Sequence, residues 1–183
     1  MKDRERYQTV YSKNPGAIAA PTAGLHFTGA VLNEVRSRAS VAEVTLHVGY
    51  GTFEPVRVDD VDQHSVSSEH YNISEESAET INRARAKGGR VIVVGTTTMR
   101  ALESSATEDG CVIAGSGEAS LTIKPGYRFR VAGALLTNFH LPRSSLLVLV
   151  SAFAGRELAL RAYRHAVQQR YRFYSFGDCM FIL

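Results

Sequence analysis

The sequence predicts a single mixed α/β domain over residues 1–183. A short apolar run, Val91–Val94, leads through Gly95 into a segment with helical spacing, which is the strand, turn and helix order of α/β proteins. Segments with strand-like alternation recur between amphipathic ones. The 183 residues suffice for one domain with a real core, and 44% hydrophobic with 21% charged residues is ordinary for a globular protein. We expect a mixed sheet with flanking helices.

Helix and strand signals alternate in the first half of the chain. The predicted elements are a helix from Thr28 to about Ala39, a strand over 41–48, a loop over 59–67, a short strand over 68–73 and a helix from Ser74 to Lys87. Gly88 and Gly89 end the last of these helices. The alternation over 41–48 puts His47 on the polar face, near the end of its strand.

The second half repeats this pattern with more apolar segments. The predicted elements are a strand over 90–94, a helix from Thr96 to about Ser105, a loop over 109–120, a hairpin of 121–124 and 127–131 around Pro125-Gly126, a strand over 134–139, a helix from Ser144 or Ser145 to near Gly155, a helix from about Glu157 to Arg170 and a strand over 179–183. On the last helix, helical spacing predicts that Leu160, Tyr163, Val167 and Tyr171 face the core. Its arginines then form either an ordinary solvated face or a phosphate-binding surface.

Composition excludes several classes of protein. The net charge of +3 and pI of about 9.0 permit a polyanionic partner without demanding one. Cys111 and Cys179 lie far apart, so neither a disulfide framework nor a zinc ribbon is indicated, and a reducing cytoplasm is expected. The longest apolar run, 146–154, is too short to cross a bilayer, and the charged N-terminus has no signal-peptide pattern.

Three short blocks each place a histidine among glycine, threonine or proline. They are Pro21–Phe27 with Gly24 and His26, Thr45–Phe53 with His47, Gly49 and Gly51, and Thr137–Pro142 with Asn138 and His140. Glycine lets backbone approach a ligand closely, and histidine transfers protons near neutral pH. The blocks predict one composite polar site with acid or base histidines. The alternative for each histidine is a side chain that satisfies a core carbonyl, and the spacing disfavours a metal site.

Three further groups carry possible chemistry. Gly95, Thr96 and Thr97 open a helix at the carboxyl end of a strand, where an anion or a ribose can bind, and Arg100 lies one turn further on. The alternative is an ordinary strand-to-helix turn capped by threonine. Glu69 is a candidate proton acceptor, or part of a solvated turn. In the C-terminal stretch, Tyr171, Arg172 and Asp178 suggest base stacking and polar recognition, with a turn role as the alternative for Asp178.

Five long motifs make the chain similar to one enzyme family. They are APTAGLHFT, VTLHVGYGTFEPVRV, RVIVVGTTTMRALES, LLTNFHLPRSSLLVLVSAFAG and YRFYSFGDCMFIL. In the same order, these closely resemble motifs of the S-adenosylmethionine:tRNA ribosyltransferase-isomerases of the queuosine pathway, the QueA family. The resemblance covers nearly the whole chain.

The resemblance implies an activity, its substrates and a larger parent protein. Such an enzyme transfers and isomerises the ribosyl part of S-adenosylmethionine onto aminomethyl-deazaguanine at the tRNA wobble position, giving epoxyqueuosine-tRNA and releasing adenine and methionine. It implies tRNA and S-adenosylmethionine as partners, no metal, and a monomer at full length. Members are nearly twice this length. The chain therefore corresponds to the C-terminal part, without the N-terminal segment and the inserted β-barrel.

Combining residue chemistry with motif match gives the expected site. Expected catalytic residues are His26, His47, His140, Glu69 and Asp178; expected S-adenosylmethionine-binding residues are Gly24, Gly49, Gly51, Gly95, Thr96, Thr97, Arg100 and Asn138; expected tRNA-binding or base-binding residues are Tyr171 and Arg172. Ser67 stands where the family usually has a histidine, which weakens a catalytic role there and leaves Glu69 as the matching residue. The rival interpretation is a truncated, catalytically inactive fragment that binds tRNA or a nucleotide.

Overall fold

Two small sheets organise the chain. The computed structural model describes residues 7–17, 19–49 and 55–183, and all statements below concern these residues. The strands are β1 (Val44–His47), β2 (His70–Ile73), β3 (Ile92–Val94), β4 (Gly115–Glu118), β5 (Ala134–Asn138) and β6 (Cys179–Ile182). One sheet is antiparallel in the order β1-β2-β4; in the other, β5 lies between a parallel β3 and an antiparallel β6. The mixed α/β class is confirmed, with the strands divided between two sheets.

Five α-helices pack with these sheets. They are α1 (Gly29–Arg38), α2 (Glu75–Ala86), α3 (Thr96–Ser105), α4 (Ser145–Ala154) and α5 (Arg156–Gln168), with 3₁₀ turns at Thr22–His26 and Val61–Gln63. The hydroxyls of Thr28, Ser74 and Ser144 each accept the backbone N–H three residues on, which confirms the predicted helix starts.

The apolar core is built from strands of both sheets together with helices. Its most enclosed side chains, each under 2% exposed, include Ile73, Val93, Met99, Leu135 and Leu149. They come from β2, β3, α3, β5 and α4, so a single apolar cluster joins both sheets. The ends of β3 and β5 are therefore held by packing from several elements.

Strand β4 was expected to be a loop, and that expectation is wrong. It pairs with β2, and Gly117 lies opposite Tyr71. A Cβ on Gly117 would come within 2.7 Å of Tyr71 Cζ, so this glycine makes room for the buried ring. Glycine is depleted in strands in general, and the strand forms here because of a tertiary contact.

The hairpin expected around Pro125-Gly126 is absent from the described structure. The turn itself forms, with the Tyr127 N–H donating to the Lys124 carbonyl at 3.0 Å. The segments on either side, however, do not form paired strands. Instead, the buried carboxylate of Glu103 accepts the N–H groups of Arg130, Val131 and Ala132 at 2.8–3.0 Å. A side chain from α3 satisfies the donors that a strand partner would have taken.

Helix α5 buries a different face from the expected one. Ala159, Tyr163 and Ala166 are buried, whereas Val167 is 65% exposed and Tyr171 is 46% exposed. The prediction was correct for Tyr163 and wrong for Val167 and Tyr171. Helix α5 contacts α4, and its buried residues are Ala159, Tyr163 and Ala166.

Candidate functional site

A cavity of about 160 Å³ lies where several of the motif blocks meet. The segments that contribute most of its lining are 19–23, 95–98, 137–138, 140–144 and 174–175. Gly95 follows β3 and Asn138 ends β5, so the cavity opens at the carboxyl ends of two parallel strands. Ligands of α/β sheets commonly bind at such an edge.

The start of α3 contributes backbone donors to this cavity. Gly95 has φ +92°, a conformation that favours glycine, and it caps α3 without any side-chain hydrogen bond. The hydroxyl-bearing residues Thr96 and Thr97 follow, and both are more than 90% buried. No acidic residue lies in the first turn. The helix end therefore offers N–H groups and a positive dipole end to an anion. The alternative of a threonine-capped turn does not hold, because no side chain caps the helix.

Asn138 is held rigidly at the wall of the cavity. Its Nδ2 donates to the carbonyl of Tyr174 at 2.9 Å and to that of Ser175 at 3.3 Å. These two bonds fix the orientation of the amide, since carbonyls only accept. The side chain is buried, and its Oδ1 has no hydrogen-bond partner among the described residues.

His140 also lines the cavity, in a neutral form. Its Nε2 lies 2.9 Å from Thr137 Oγ1, and its backbone N–H donates to the Tyr163 hydroxyl at 2.9 Å. Burial lowers the pKa of His140 to about 4. Burial likewise raises the pKa of Tyr163 to about 12, with the N–H of His140 opposing that rise. At neutral pH the imidazole is therefore uncharged.

Arg100 and Glu69, expected in the site, lie outside the cavity lining. The guanidinium of Arg100 pairs with the Glu69 carboxylate and also donates to the carbonyls of Ser67, Ala119 and Leu121. Burial lowers the pKa of Arg100, and Glu69 opposes that shift. With these donors occupied, Arg100 joins the segment before β2 and the segment after β4 to α3. Sequence patterns did not indicate this pairing, because the partners of Arg100 are 19 to 33 residues away.

Two of the C-terminal candidates, Arg172 and Asp178, form hydrogen bonds with each other. The Arg172 backbone N–H and guanidinium both donate to the Asp178 carboxylate, at 2.7 and 2.9 Å, and the Asp178 N–H returns to the Arg172 carbonyl. These bonds lower the pKa of Asp178, and His26 adds to the lowering through its charge. Tyr171 packs against Phe139, with ring centroids 5.8 Å apart. Among the described residues, the cavity lining includes none of the candidates His26, Tyr171, Arg172 and Asp178.

The remaining predicted residues lie elsewhere. His47 stacks against His70 on the neighbouring strand, with ring centroids 5.9 Å apart. Gly24 packs tightly, since a Cβ there would come within 2.7 Å of Thr9 Cγ2. Gly49 has open space around it, and Gly51 lies outside the described residues. Of the expected site, the structure brings together Gly95, Thr96, Thr97, Asn138 and His140.

A second, more open groove of about 450 Å³ borders the cavity. Arg57, Arg143 and Arg156 line it, and Arg143 and Ser144 line both hollows. These three arginines form no ion pair with the described carboxylates, and Arg143 has φ +55°. Sequence reasoning missed Arg57 and Arg143, although Arg143 directly follows the third histidine block. Asp59 also lines the groove, so three arginines and one carboxylate give this surface beside the candidate site a net positive charge.

Two further features of the described part of the chain concern metal ions and membranes. No group of three or more His, Cys, Asp or Glu side chains is arranged to hold a metal ion. None of the described helices combines the length and apolar character needed to span a membrane.

Sequence comparison decides the family. Residues 1–182 match the family described as Queuosine biosynthesis protein. The chain belongs to this family. The resemblance of its five motifs is thereby confirmed.

Members of the queuosine biosynthesis family are similar to this chain along its whole length. The S-adenosylmethionine:tRNA ribosyltransferase-isomerase of Azoarcus sp. (strain BH72) is 60% identical over 181 residues, which are 98% of this chain and 52% of that protein. The protein of the same name from Natranaerobius thermophilus is 54% identical and covers 100% of this chain and 53% of its own length. The chain spans about half the length of these relatives.

A crystal structure in the family supports the fold. S-adenosylmethionine tRNA ribosyltransferase from Thermotoga maritima superposes with a TM-score of 0.71 at 41% sequence identity. The match covers 88% of this chain and 51% of that one. The α/β arrangement described above is thus a substantial part of a known family structure.

Proposed function

We propose that the 160 Å³ cavity binds S-adenosylmethionine for a tRNA ribosyltransferase-isomerase reaction. The observation that carries this proposal is the meeting of the GTTT and TNFHLPRSS motifs, distant in sequence, around one cavity. The helix start supplies donors and His140 supplies a neutral imidazole. The names of the 60% and 54% identical relatives give the substrate class.

The reaction itself makes demands that these groups fit. The ribosyl part of S-adenosylmethionine is transferred to aminomethyl-deazaguanine in tRNA, and adenine and methionine leave. A base must take a proton from the carbon beside the sulfonium, and donors must stabilise the leaving adenine. We propose His140 as the base, because it is the cavity-lining histidine of the described residues and burial keeps it unprotonated. Its low pKa makes it a weak base, so the sulfonium must acidify the carbon.

The roles of His26 and His47 are tested beside that of His140. In a full-length relative such as the Azoarcus enzyme, the matching His140→Ala variant is expected to lose at least about a hundredfold in kcat, the usual contribution of a positioned base. Variants at His26 and His47, which lie outside the cavity lining, are expected to retain more activity. Full activity in all three variants would refute acid and base catalysis by these histidines.

The tRNA is proposed to lie along the groove of Arg57, Arg143 and Arg156. Unpaired guanidinium groups suit phosphates, and Arg143 leads from the groove to the cavity. Arg172, the earlier candidate, already pairs with Asp178. Tyr171 is 46% exposed and remains a candidate for stacking on a base. A cytoplasmic location and a monomeric full-length protein remain part of the same proposal.

Isothermal titration of S-adenosylmethionine into this 183-residue chain tests the proposal. We expect binding with a micromolar Kd from protein shown to be folded by circular dichroism. Folded protein that binds tRNA and no S-adenosylmethionine would instead support the rival, a non-catalytic tRNA-binding fragment. Folded protein that binds neither would refute both.

A further inference from the structure

Three aromatic residues near the C-terminus are exposed. Tyr171 is 46%, Tyr174 is 44% and Phe176 is 59% exposed. Tyr171 already has two ring neighbours, Phe139 with centroids 5.8 Å apart and His165 with centroids 6.5 Å apart. Tyr174, in contrast, lines the 160 Å³ cavity, and its exposure places it at the cavity mouth. An exposed aromatic ring offers a flat apolar face to a ligand.

The backbone of Tyr174 has a conformation that a bulky residue rarely adopts. Its φ is +75°, in the left-handed region that favours glycine. Its N–H donates to the Phe139 carbonyl at 2.8 Å, and its carbonyl accepts from Asn138 Nδ2 at 2.9 Å and from the Gly177 N–H at 3.0 Å. Strained residues held by their surroundings in this way cluster at ligand sites. Glycine would relieve the strain, so the tyrosine ring itself is expected to have a use here.

Two further rings lie beside Tyr174. Tyr7 and Phe176 pack against each other with ring centroids 5.6 Å apart. Partial burial raises the pKa of Tyr174, and the charge of Tyr7 raises it further, so the two phenol groups are near one another. Tyr7, Tyr174 and Phe176 therefore form an aromatic cluster next to the cavity.

The size of the cavity indicates what lies against this cluster. Sites that enclose a whole drug-sized ligand measure about 300–1,000 Å³, whereas this cavity is about 160 Å³. Part of a molecule as large as S-adenosylmethionine therefore lies outside the cavity, at its mouth. The adenine of S-adenosylmethionine and the deazaguanine of tRNA are both flat fused rings. Bases of this kind stack on tyrosine and phenylalanine rings.

We propose that Tyr174 is the platform on which a fused-ring base stacks at the mouth of the cavity. The base is either the adenine of S-adenosylmethionine or the deazaguanine of tRNA, which present the same flat aromatic face. This inference rests on the proposed function and adds to it a residue that binds a base. It also replaces Tyr171 by Tyr174 as the stacking residue.

Tryptophan fluorescence tests the stacking directly. The chain contains no tryptophan, so Tyr174→Trp introduces a single indole at the cavity mouth. S-adenosylmethionine and tRNA that carries the deazaguanine are added separately, and calorimetry measures the binding of each to the same protein. The ligand whose base stacks is expected to remove most of the fluorescence, because a stacked base quenches the excited indole. Phe181→Trp is the control at an exposed position outside the cavity lining, where neither ligand is expected to change the fluorescence.

A pair of variants gives a second readout in the affinity of the same ligand. Tyr174→Phe keeps the aromatic face and is expected to bind the ligand within about twofold of wild type. Tyr174→Leu removes that face and is expected to weaken binding at least about fivefold. Both substitutions place a residue with a side chain at the same positive φ, so backbone strain does not account for a difference between them.

The outcomes separate this inference from the proposed function. Quenching by S-adenosylmethionine identifies adenine as the stacked base, and quenching by tRNA alone identifies the deazaguanine. Binding without quenching in Tyr174→Trp, or with equal quenching in Phe181→Trp, would overturn the stacking assignment alone. So would weaker binding by Tyr171→Leu but not by Tyr174→Leu. Absence of binding by both ligands would overturn the proposed function and this inference together.

Discussion

The Nη1 of Arg100 lies 2.7 Å from the Oε2 of Glu69, and the two side chains are only 5% and 2% exposed. Three carbonyls take further donors of the same guanidinium. The buried guanidinium of Arg100 therefore has a structural role, because it holds α3 against the segments that flank β2 and β4 of the first sheet.

Glu69→Gln is expected to destabilise the chain by about 3–5 kcal/mol. Removing one charge of a buried pair leaves the other uncompensated, here the guanidinium of Arg100. Urea unfolding followed by circular dichroism measures the change in the free energy of unfolding.

The matched control is the exposed pair of Glu34 and Arg38, whose side chains are 63% and 79% exposed. Glu34→Gln is expected to cost less than about 1 kcal/mol. If Glu69→Gln were as stable as wild type and yet failed to support catalysis in a full-length relative, Glu69 would be a catalytic residue after all.

Glu103→Gln is expected to cost about 2 kcal/mol and to loosen the segment after the Pro125-Gly126 turn. The carboxylate accepts three successive backbone N–H groups, and an amide nitrogen facing one of them cannot. Hydrogen exchange should accelerate at residues 130–132. Glu108→Gln, at an exposed position, should change stability by less than about 0.5 kcal/mol. Unchanged exchange in Glu103→Gln would contradict this account.

Local rules predicted the helices well, and tertiary contacts explain the errors. Capping by Thr28, Ser74 and Ser144 depends on residues three positions apart, so the sequence alone suffices. Strand β4 depends instead on the fit of Tyr71 over Gly117. The predicted hairpin does not form because the Glu103 carboxylate accepts the N–H groups of residues 130–132, and the linear sequence does not show this long-range contact.

In the candidate site too, local sequence predicted some features and tertiary contacts determined others. The motifs at Gly95–Thr97 and at Asn138–His140 line one cavity, because strand ends of one sheet converge. Their shared role in a site stays a prediction. Arg100 was expected there too, one turn further along α3. Its long side chain instead reaches the Glu69 carboxylate, which directly precedes β2, and helical spacing does not reveal this pairing.

Acid should destabilise the chain partly through His140. Its folded pKa of about 4 lies below the 6.5 of an unperturbed histidine, so the unfolded state binds the extra proton between these values. Stability is therefore lost as the pH falls from about 6.5 towards 4. Between pH 7.5 and 5.0 the expected contribution is about 2 kcal/mol.

Urea unfolding of wild type and His140→Gln at both pH values measures this contribution. The variant removes the titrating group, so its stability should fall by about 2 kcal/mol less than that of wild type over the same interval. An identical fall in both proteins would show that His140 is not buried in its neutral form.

Arg156→Ala is expected to weaken tRNA binding and to lower its salt dependence. A guanidinium that neutralises one phosphate contributes about 0.7–0.9 to the slope of log K against log salt concentration. Fluorescence anisotropy with labelled tRNA at several salt concentrations measures both quantities. Arg83→Ala removes the same charge from an exposed position outside the groove and should leave the slope nearly unchanged. Equal effects of the two variants would mean that net charge, not the groove, attracts the RNA.

Gly24→Ala is expected to lower the free energy of unfolding by about 1–3 kcal/mol through overpacking. The added Cβ would come within 2.7 Å of Thr9 Cγ2 and closer still to the hydroxyl of Tyr11. Gly29→Ala is the control, since a Cβ there meets nothing within 4 Å, and alanine favours the start of α1. Urea unfolding should show a loss for the first variant and none for the second. If Gly24→Ala instead kept full stability and lost S-adenosylmethionine binding, Gly24 would belong to the ligand site as its motif first suggested.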